Sequence, residues 1–119
     1  MARERKIAHL RCSGMRKRLR VIYSGTVQGV GFRATVARLA QDLSVEGAVW
    51  NRRDGRVELL VEGEECAIHQ LLDRVEAAHL APWIQSIDSA WEEPTGKLRG
   101  FVIAREEEFP SGDGFSLFR

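Results

Sequence analysis

An arginine follows a glycine-rich loop in this sequence, at a position where the two together could bind an anion. The stretch from Gly25 to Gly31 contains three glycines and joins a segment with strand-like alternation to one with helical spacing. Glycine lets consecutive backbone amides turn inward, and such amides at the start of a helix form a nest for anions. Arg33 comes directly after the loop, and its planar guanidinium can bind two oxygens of a phosphate or carboxylate. From spacing alone, an anion-binding loop and an ordinary glycine-rich connection remain open interpretations.

A second polar residue, Asn51, ends a short apolar segment and precedes the turn sequence Arg52-Arg53-Asp54-Gly55. Asp-Gly is a strong signal for a hairpin turn, so the segments on either side are predicted to pair as strands. Asn51 could take part in chemistry or could serve only the turn, since asparagine often does so. Arg33 could likewise only brace its loop.

The elements that must position these residues follow from hydrophobic periodicity. Apolar residues three or four apart predict a helix from Phe32 to about Ser44 and a second helix that opens at Gly63-Glu64-Glu65. Alternation predicts strands over residues 19–24, 47–51, 56–62, about 86–91, and 101–105.

This order predicts an α+β fold, the ferredoxin-like βαββαβ sandwich, with two helices on one face of an antiparallel sheet and an added C-terminal strand. The first crossover makes strands one and two parallel, and the hairpin strand inserts between them, antiparallel to both. The C-terminal ends of strands one and two then reach the same edge of the sheet. We therefore expect the glycine loop and Asn51 to converge.

Composition limits the function classes. The 119 residues are 44% hydrophobic and 29% charged, with a net charge of +1, which is ordinary for one globular domain. No apolar run is long enough for a membrane helix, and no apolar region of a secretory signal follows the basic start. Cys12 and Cys66 form no metal or redox motif, so we expect a reducing, cytoplasmic setting. The scattered histidines have no metal spacing, and no metal site is expected.

The two ends of the chain differ in charge. We predict a flexible basic arm over residues 1–18, a domain over 19–105, and an irregular tail over 106–119. The arm could contact nucleic acid, but a solvated tail is the favoured interpretation. Met15 would be a natural beginning for the domain, so residues 1–14 are expected to be dispensable.

Two motifs together resemble the acylphosphatase family. The first is Val27-Gln28-Gly29-Val30-Gly31-Phe32-Arg33, and the second is Gly47-Ala48-Val49-Trp50-Asn51, followed by Gly55-Arg56-Val57 and Gly63. They occur in the family's order and separation, and the resemblance covers roughly residues 19–105. It implies a ferredoxin-like fold and the hydrolysis of acyl phosphates to a carboxylate and phosphate, without metal or cofactor.

The resemblance also implies roles for single residues. The family's essential arginine matches Arg33, and its essential asparagine matches Asn51, which would orient the attacking water. The substrate phosphate would be bound by backbone amides and the Arg33 guanidinium, through the residues Gln28, Gly29, Val30, Gly31, Phe32 and Arg33. The Gln28 side chain is more typical of a loop brace. No enzymic general base is apparent, so the substrate phosphate is expected to accept the proton of the water.

The chain departs from the family's usual pattern at three positions. Tyr23 replaces a usual aliphatic residue, and Ala48 and Trp50 stand where the family usually has an aromatic and a small or basic residue. Residues 48 and 50 point to the same strand face, so Trp50 can fill the layer that the aromatic leaves.

Two alternatives belong to other classes. The RNA-recognition motif shares the βαββαβ order, and Arg99-Gly100-Phe101-Val102 faintly resembles its aromatic signature, but the third strand has no aromatic residue. A non-catalytic acylphosphatase-like module is the other alternative, including the N-terminal domain of hydrogenase-maturation carbamoyltransferases. A stand-alone enzyme fits better, because the sequence has no zinc-finger or transferase region. The expected partners are a small acyl phosphate substrate and inorganic phosphate, the product and inhibitor. We expect a monomer with no membrane or nucleic-acid partner.

Overall fold

The structure, a computed structural model, describes residues 15–106, which form five strands and two helices. A short 3₁₀ turn, Ala81–Trp83, precedes the fourth strand. The helices are α1 (Phe32–Ala40) and α2 (Glu65–Ala77). The strands are β1 (Arg16–Gly25), β2 (Val45–Asn51), β3 (Val57–Glu64), β4 (Ile84–Glu92) and β5 (Phe101–Ile103).

The strands form one sheet in the order β4-β1-β3-β2-β5. β3 pairs antiparallel with both β1 and β2, and its residue Val57 lies opposite Tyr23 on one side and Asn51 on the other. β1 and β2 are therefore parallel, and Tyr23 of β1 lies level with Asn51, the last residue of β2. The predicted ferredoxin-like topology is confirmed. The added strand β5 pairs parallel with β2, which makes the sheet mixed rather than purely antiparallel.

The core lies between the helices and one face of the sheet. Alternate residues from Leu19 to Tyr23 of β1 and from Val57 to Val61 of β3 point to this face and are buried. Phe32 and Val36 of α1 and Ile68, Leu71 and Val75 of α2 pack against these strands. The strand residues concerned are Leu19, Val21, Tyr23, Val57, Leu59 and Val61. The apolar residues that recur with a period of 2 in the strands thus pack against those that recur with a period of 3.6 in the helices, as the sequence predicts.

The opposite face of the sheet is covered as well. The chain after β4 crosses this face, where the backbone amides of Thr95 and Gly96 donate to the buried Glu62 carboxylate over 2.8 and 3.1 Å. Ala48 and Trp50 form a small buried apolar cluster on this face with Leu60, Ala104 and Leu98. Trp50 therefore fills the layer beside Ala48, as expected. The RNA-binding alternative is not supported, because it needs an open face with stacking aromatic residues.

Buried ion pairs occupy the rest of this face. Arg20 donates to Glu58 and to Glu92, each over 2.6 Å, and its side chain is 6% exposed. Burial raises the pKa of the Glu58 carboxyl, while hydrogen bonds from Arg20 and Arg52 oppose that rise. The polar positions that alternate with apolar ones in β1 and β3 are therefore not a solvated surface.

Several element boundaries differ from the sequence prediction. β1 begins at Arg16, because Arg16, Lys17 and Arg18 pair with residues 62–64 of β3, so they belong to the strand and not to the predicted arm. α1 ends at Ala40 rather than near Ser44, and residues 41–44 form a turn into β2. Residues 1–14 of the predicted arm and 107–119 of the predicted tail lie outside the described residues, so the domain division and the role of Met15 stay predictions.

Cys66, in the first turn of α2, is disulfide-bonded. The sequence has one other cysteine, Cys12, which lies outside the described residues. The reducing, cytoplasmic setting expected from the sequence stays a prediction. In the described part of the chain, no helix has the length and apolar character to cross a membrane.

The buried pairs lead to a stability prediction. We expect Arg20→Met to lower the free energy of unfolding by about 3 kcal/mol at pH 8, because it removes the buried guanidinium that Glu58 and Glu92 share and leaves them with Arg52 and Arg18. The loss should shrink at pH 5, because Arg20 opposes the rise that burial causes in the Glu58 pKa, so the Glu58 carboxyl of the variant takes up a proton more readily than that of the wild type. Urea unfolding at the two pH values measures both effects.

The matched control is Arg16→Met. Arg16 pairs with Glu46 over 3.2 Å, but these side chains are 48% and 36% exposed, so we expect a change under about 1 kcal/mol. Equal, small losses in the two variants would contradict a structural role for the buried pairs.

Candidate active site

The loop after β1 and the end of β2 meet at one edge of the sheet and form a cavity of about 160 Å³. Its lining residues are Val27, Gly29, Gly31, Phe32, Arg33, Ala34, Asn51 and Ile103. The structure therefore brings the predicted arginine and asparagine together. Among the predicted substrate-binding residues, Gly29, Gly31, Phe32 and Arg33 line the cavity, whereas Gln28 and Val30 lie elsewhere in the loop.

The loop needs glycine for its backbone conformation. Gly29 and Gly31 have φ angles of +82° and +79°, which side chains disfavour, although open space surrounds both α-carbons. Gly31 is also the N-cap of α1, and no side chain caps this end. The first turn of α1 has no acidic residue. The helix therefore presents uncapped amides and a partial positive charge to the cavity.

Two buried apolar residues, one aliphatic and one aromatic, hold the loop against the core. Val27 and Phe32 are 1% exposed, and the Phe32 ring packs against Tyr23 with centroids 5.0 Å apart. Burial, with a contribution from Glu76, raises the pKa of the Tyr23 hydroxyl well above its usual range. Tyr23, which departs from the usual pattern, thus serves as the floor beneath the loop and not as a titrating group of the site.

Arg33 lies in the first turn of α1 and is half-buried. Within residues 15–106 its guanidinium makes no ion pair or hydrogen bond. Most other arginines in this range pair with carboxylates; these are Arg16, Arg18, Arg20, Arg52, Arg56 and Arg74. The cavity therefore contains a cationic group whose charge no neighbouring acid of the described chain neutralises, which suits an anionic ligand.

The Asn51 carboxamide also has unused capacity. Its Oδ1 is buried and has no hydrogen-bond partner among the described residues. A buried acceptor in this condition costs about 1–3 kcal/mol, which a fold tolerates most readily where a ligand completes the bond. The turn after β2 uses other groups instead: Arg52 N donates to Arg56 O over 2.8 Å, and Arg56 N donates to Asp54 over 3.0 Å.

Asp54 belongs to this turn. Partial burial would raise its pKa, but hydrogen bonds from the Arg56 and Arg52 side chains dominate and hold the pKa well below its usual range. Its carboxylate is thus ionised at neutral pH and engaged by two arginines, at 2.7 and 3.0 Å. Asp54 is a structural residue of the turn and has the wrong pKa for a general base.

Gln28 connects the loop to the turn. Its side-chain amide donates to the carbonyl oxygens of Arg52 and Arg56 over 2.7 and 3.0 Å. The side chain therefore points at the backbone that follows Asn51, which agrees with the role of a brace. Any contact of Gln28 with substrate would have to use its backbone.

Sequence reasoning missed the wall that the C-terminal segment contributes. Ile103 of β5 lines the first cavity, and a second cavity of about 260 Å³ adjoins it. The second cavity is lined by Arg33, Asn51, Arg52, Arg53, Ala104, Arg105 and Glu106. The one sequence feature that belongs to this second cavity is the pair of arginines after Asn51, and the predicted turn was a sufficient reason for that pair.

The first cavity has no imidazole or carboxylate in its lining. In the part of the chain that the structure describes, no group of three histidine, cysteine, aspartate or glutamate side chains could hold a metal ion. The chemistry available to the described cavity is therefore binding by amides and a guanidinium, together with orientation of water by a carboxamide.

Comparisons with known proteins identify the family. The sequence model of the acylphosphatase family matches residues 19–103. An acylphosphatase of Roseiflexus sp. (strain RS-1) is 41% identical over 86 residues, which are 72% of this chain and 92% of the relative. The crystal structure of the acylphosphatase from Bacillus subtilis is 35% identical, with a TM-score of 0.67 over 76% of this chain and 99% of that one.

A structure of full-length HypF in its phosphate- and nucleotide-bound form is also similar, at 28% identity and a TM-score of 0.67. The match covers 76% of this chain but 12% of that one. The smaller relatives, by contrast, match over nearly their whole length. The chain belongs to the acylphosphatase family, and the reaction it catalyses is the hydrolysis of acyl phosphates.

Proposed function

We propose that Arg33 and the loop amides bind the phosphoryl group in the 160 Å³ cavity and that Asn51 orients the water that attacks it. The observation that carries the proposal is the meeting of two unsatisfied groups in one cavity. The Arg33 guanidinium lacks an acidic partner, and the Asn51 Oδ1 lacks a donor, among the described residues.

The reaction follows from this arrangement. The Arg33 fork and the uncapped amides of the 28–33 loop bind the nonbridging phosphoryl oxygens. Water, with one hydrogen donated to Asn51 Oδ1, attacks phosphorus opposite the acyl oxygen. The bond from phosphorus to the acyl oxygen breaks, and its electron pair leaves with the carboxylate. The fixed donors stabilise charge on the three equatorial oxygens of the transition state.

Proton transfer needs no enzymic group in this scheme. A carboxylate is a weak base and leaves without general-acid assistance, and a phosphoryl oxygen accepts the proton of the attacking water. The lining of the first cavity contains no imidazole or carboxylate, which agrees with such a route. Glu106, at the second cavity, is engaged by the backbone amide of Arg53 over 3.0 Å.

The finer expectations on setting and assembly are also proposals. A small acyl phosphate is the substrate, inorganic phosphate is product and inhibitor, and the protein acts as a monomer. The cytoplasmic location stays a prediction from the sequence.

The experiment that tests the function is hydrolysis of benzoyl phosphate, followed by its ultraviolet absorbance. We expect turnover that EDTA leaves unchanged and that inorganic phosphate inhibits competitively, because amides and a guanidinium replace a metal in the proposed site. Activity that disappears with EDTA and returns with Mg²⁺ or Zn²⁺ would overturn the proposed mechanism.

The Arg33 side chain is tested by Arg33→Lys, which keeps the charge but loses the bidentate fork. We expect kcat/KM to fall on the order of a hundredfold, the range for a lost transition-state donor. Arg38→Lys is the matched control, since Arg38 is exposed on the same helix and lies outside both cavities. Near-normal hydrolysis by a folded Arg33→Lys variant would exclude the proposed role.

Asn51 is tested by Asn51→Ala, with binding and turnover measured separately. If Asn51 orients water, kcat should fall on the order of a hundredfold while the inhibition constant of phosphate changes little. A parallel weakening of phosphate inhibition would assign Asn51 to phosphate binding instead. Circular dichroism before the assay checks that the variant is folded.

A further inference from the structure

The second cavity, of about 260 Å³, continues from the proposed phosphate site along the same edge of the sheet. It shares Arg33 and Asn51 with the first cavity, so the boundary between the two lies at the groups proposed to bind and attack the phosphoryl group. A substrate whose phosphate fills the first cavity must place its acyl group in a neighbouring space. The second cavity is such a space, on the side of the turn after Asn51 and of residues 104–106.

The charges around this second cavity are mainly positive. Its lining has four arginines and one glutamate. Arg52 is neutralised by Asp54 and Glu58, at 3.0 and 3.1 Å. Glu106 accepts a hydrogen bond from the backbone amide of Arg53, so its position is fixed by the backbone rather than by that residue's guanidinium.

Arg53 is, besides Arg33, a second unsatisfied cation of this cavity among the described residues. Within residues 15–106 its guanidinium has no ion pair or hydrogen bond, a condition it shares with Arg33 and Arg38. Arg38 lies away from both cavities, whereas Arg33 and Arg53 line the second one together. Two guanidinium groups without acidic partners therefore lie along one continuous recess, and the proposed phosphoryl group occupies the end at Arg33.

We propose that the second cavity binds the acyl part of the substrate and that Arg53 selects acyl groups carrying a second anionic group. The inference rests on the proposed function, because Arg33 must hold the phosphate for Arg53 to face the acyl end. The second anionic group is a carboxylate or a phosphate, since either offers two oxygens to the guanidinium fork. Uncharged acyl groups use the site without this contact.

The test compares substrates that differ only in charge. The 3- and 4-carboxybenzoyl phosphates carry a second carboxylate on a rigid ring, and the corresponding carbamoylbenzoyl phosphates are neutral and nearly isosteric. For at least one of the two carboxylate isomers, we expect kcat/KM to be about fivefold higher than for the corresponding amide, mainly because KM is lower. A ratio of about five corresponds to the free energy of an exposed contact between charges. The preference should decline as NaCl is raised, because exposed charges are screened.

Two variants locate the effect. In Arg53→Gln, the kcat/KM for the charged substrate divided by that for the neutral substrate should fall close to one. The variant keeps the backbone amide that donates to Glu106. Arg38→Gln removes the same charge outside the cavity and should leave the ratio as in the wild type. A wild-type ratio near one, or equal ratios in the two variants, would overturn the inference while hydrolysis itself stands. Failure to hydrolyse any of the four substrates would instead count against the proposed function.

Discussion

The side-chain amide of Gln28 joins the two segments on which the site depends. Its donor nitrogen lies 2.7 Å from the Arg52 oxygen and 3.0 Å from the Arg56 oxygen, so the loop of the proposed phosphate site is bonded to the turn that begins next to Asn51. The bond adds to the indirect links between the two segments, which run through β3 and through the packing of α1 on β2. Since a misplacement of about 1 Å can cost a hundredfold in rate, a direct bond between the two segments matters to the reaction.

The distribution of ion pairs separates the scaffold from the site. On the sheet face away from the helices, Glu58 and Glu92 form ion pairs with Arg20 and also with Arg52 and Arg18. At the end of the sheet, the Arg33 guanidinium is left without an acid among the described residues, beside helix amides that no side chain caps. A fold that pairs its structural charges and leaves the Arg33 guanidinium without an acid among the described residues concentrates positive potential at the proposed anion site.

The chain after β4 has two roles in one segment. It covers the charged face of the sheet, where Thr95 and Gly96 bind Glu62, and it then adds β5 beside β2. Because β5 runs parallel to β2, its end reaches the same edge as Asn51. Ile103 and the residues after it thus become a wall of both cavities. The pairing of the sheet and the shape of both cavities therefore depend on the same segment.

The sequence by itself determined the elements, their order and the meeting of the loop with Asn51. Periods of 2 and 3.6 are local, and the parallel crossover leaves one place for the hairpin strand, so the parallel alignment of β1 and β2 across β3 could be predicted. Tertiary structure decided the burial of Glu58 and Glu62, the parallel pairing of β5, the disulfide at Cys66 and the position of Arg53 beside Arg33. Such features depend on which distant residues come into contact. A polar residue that alternates along a strand has the same local pattern whether water or a second layer of chain covers it.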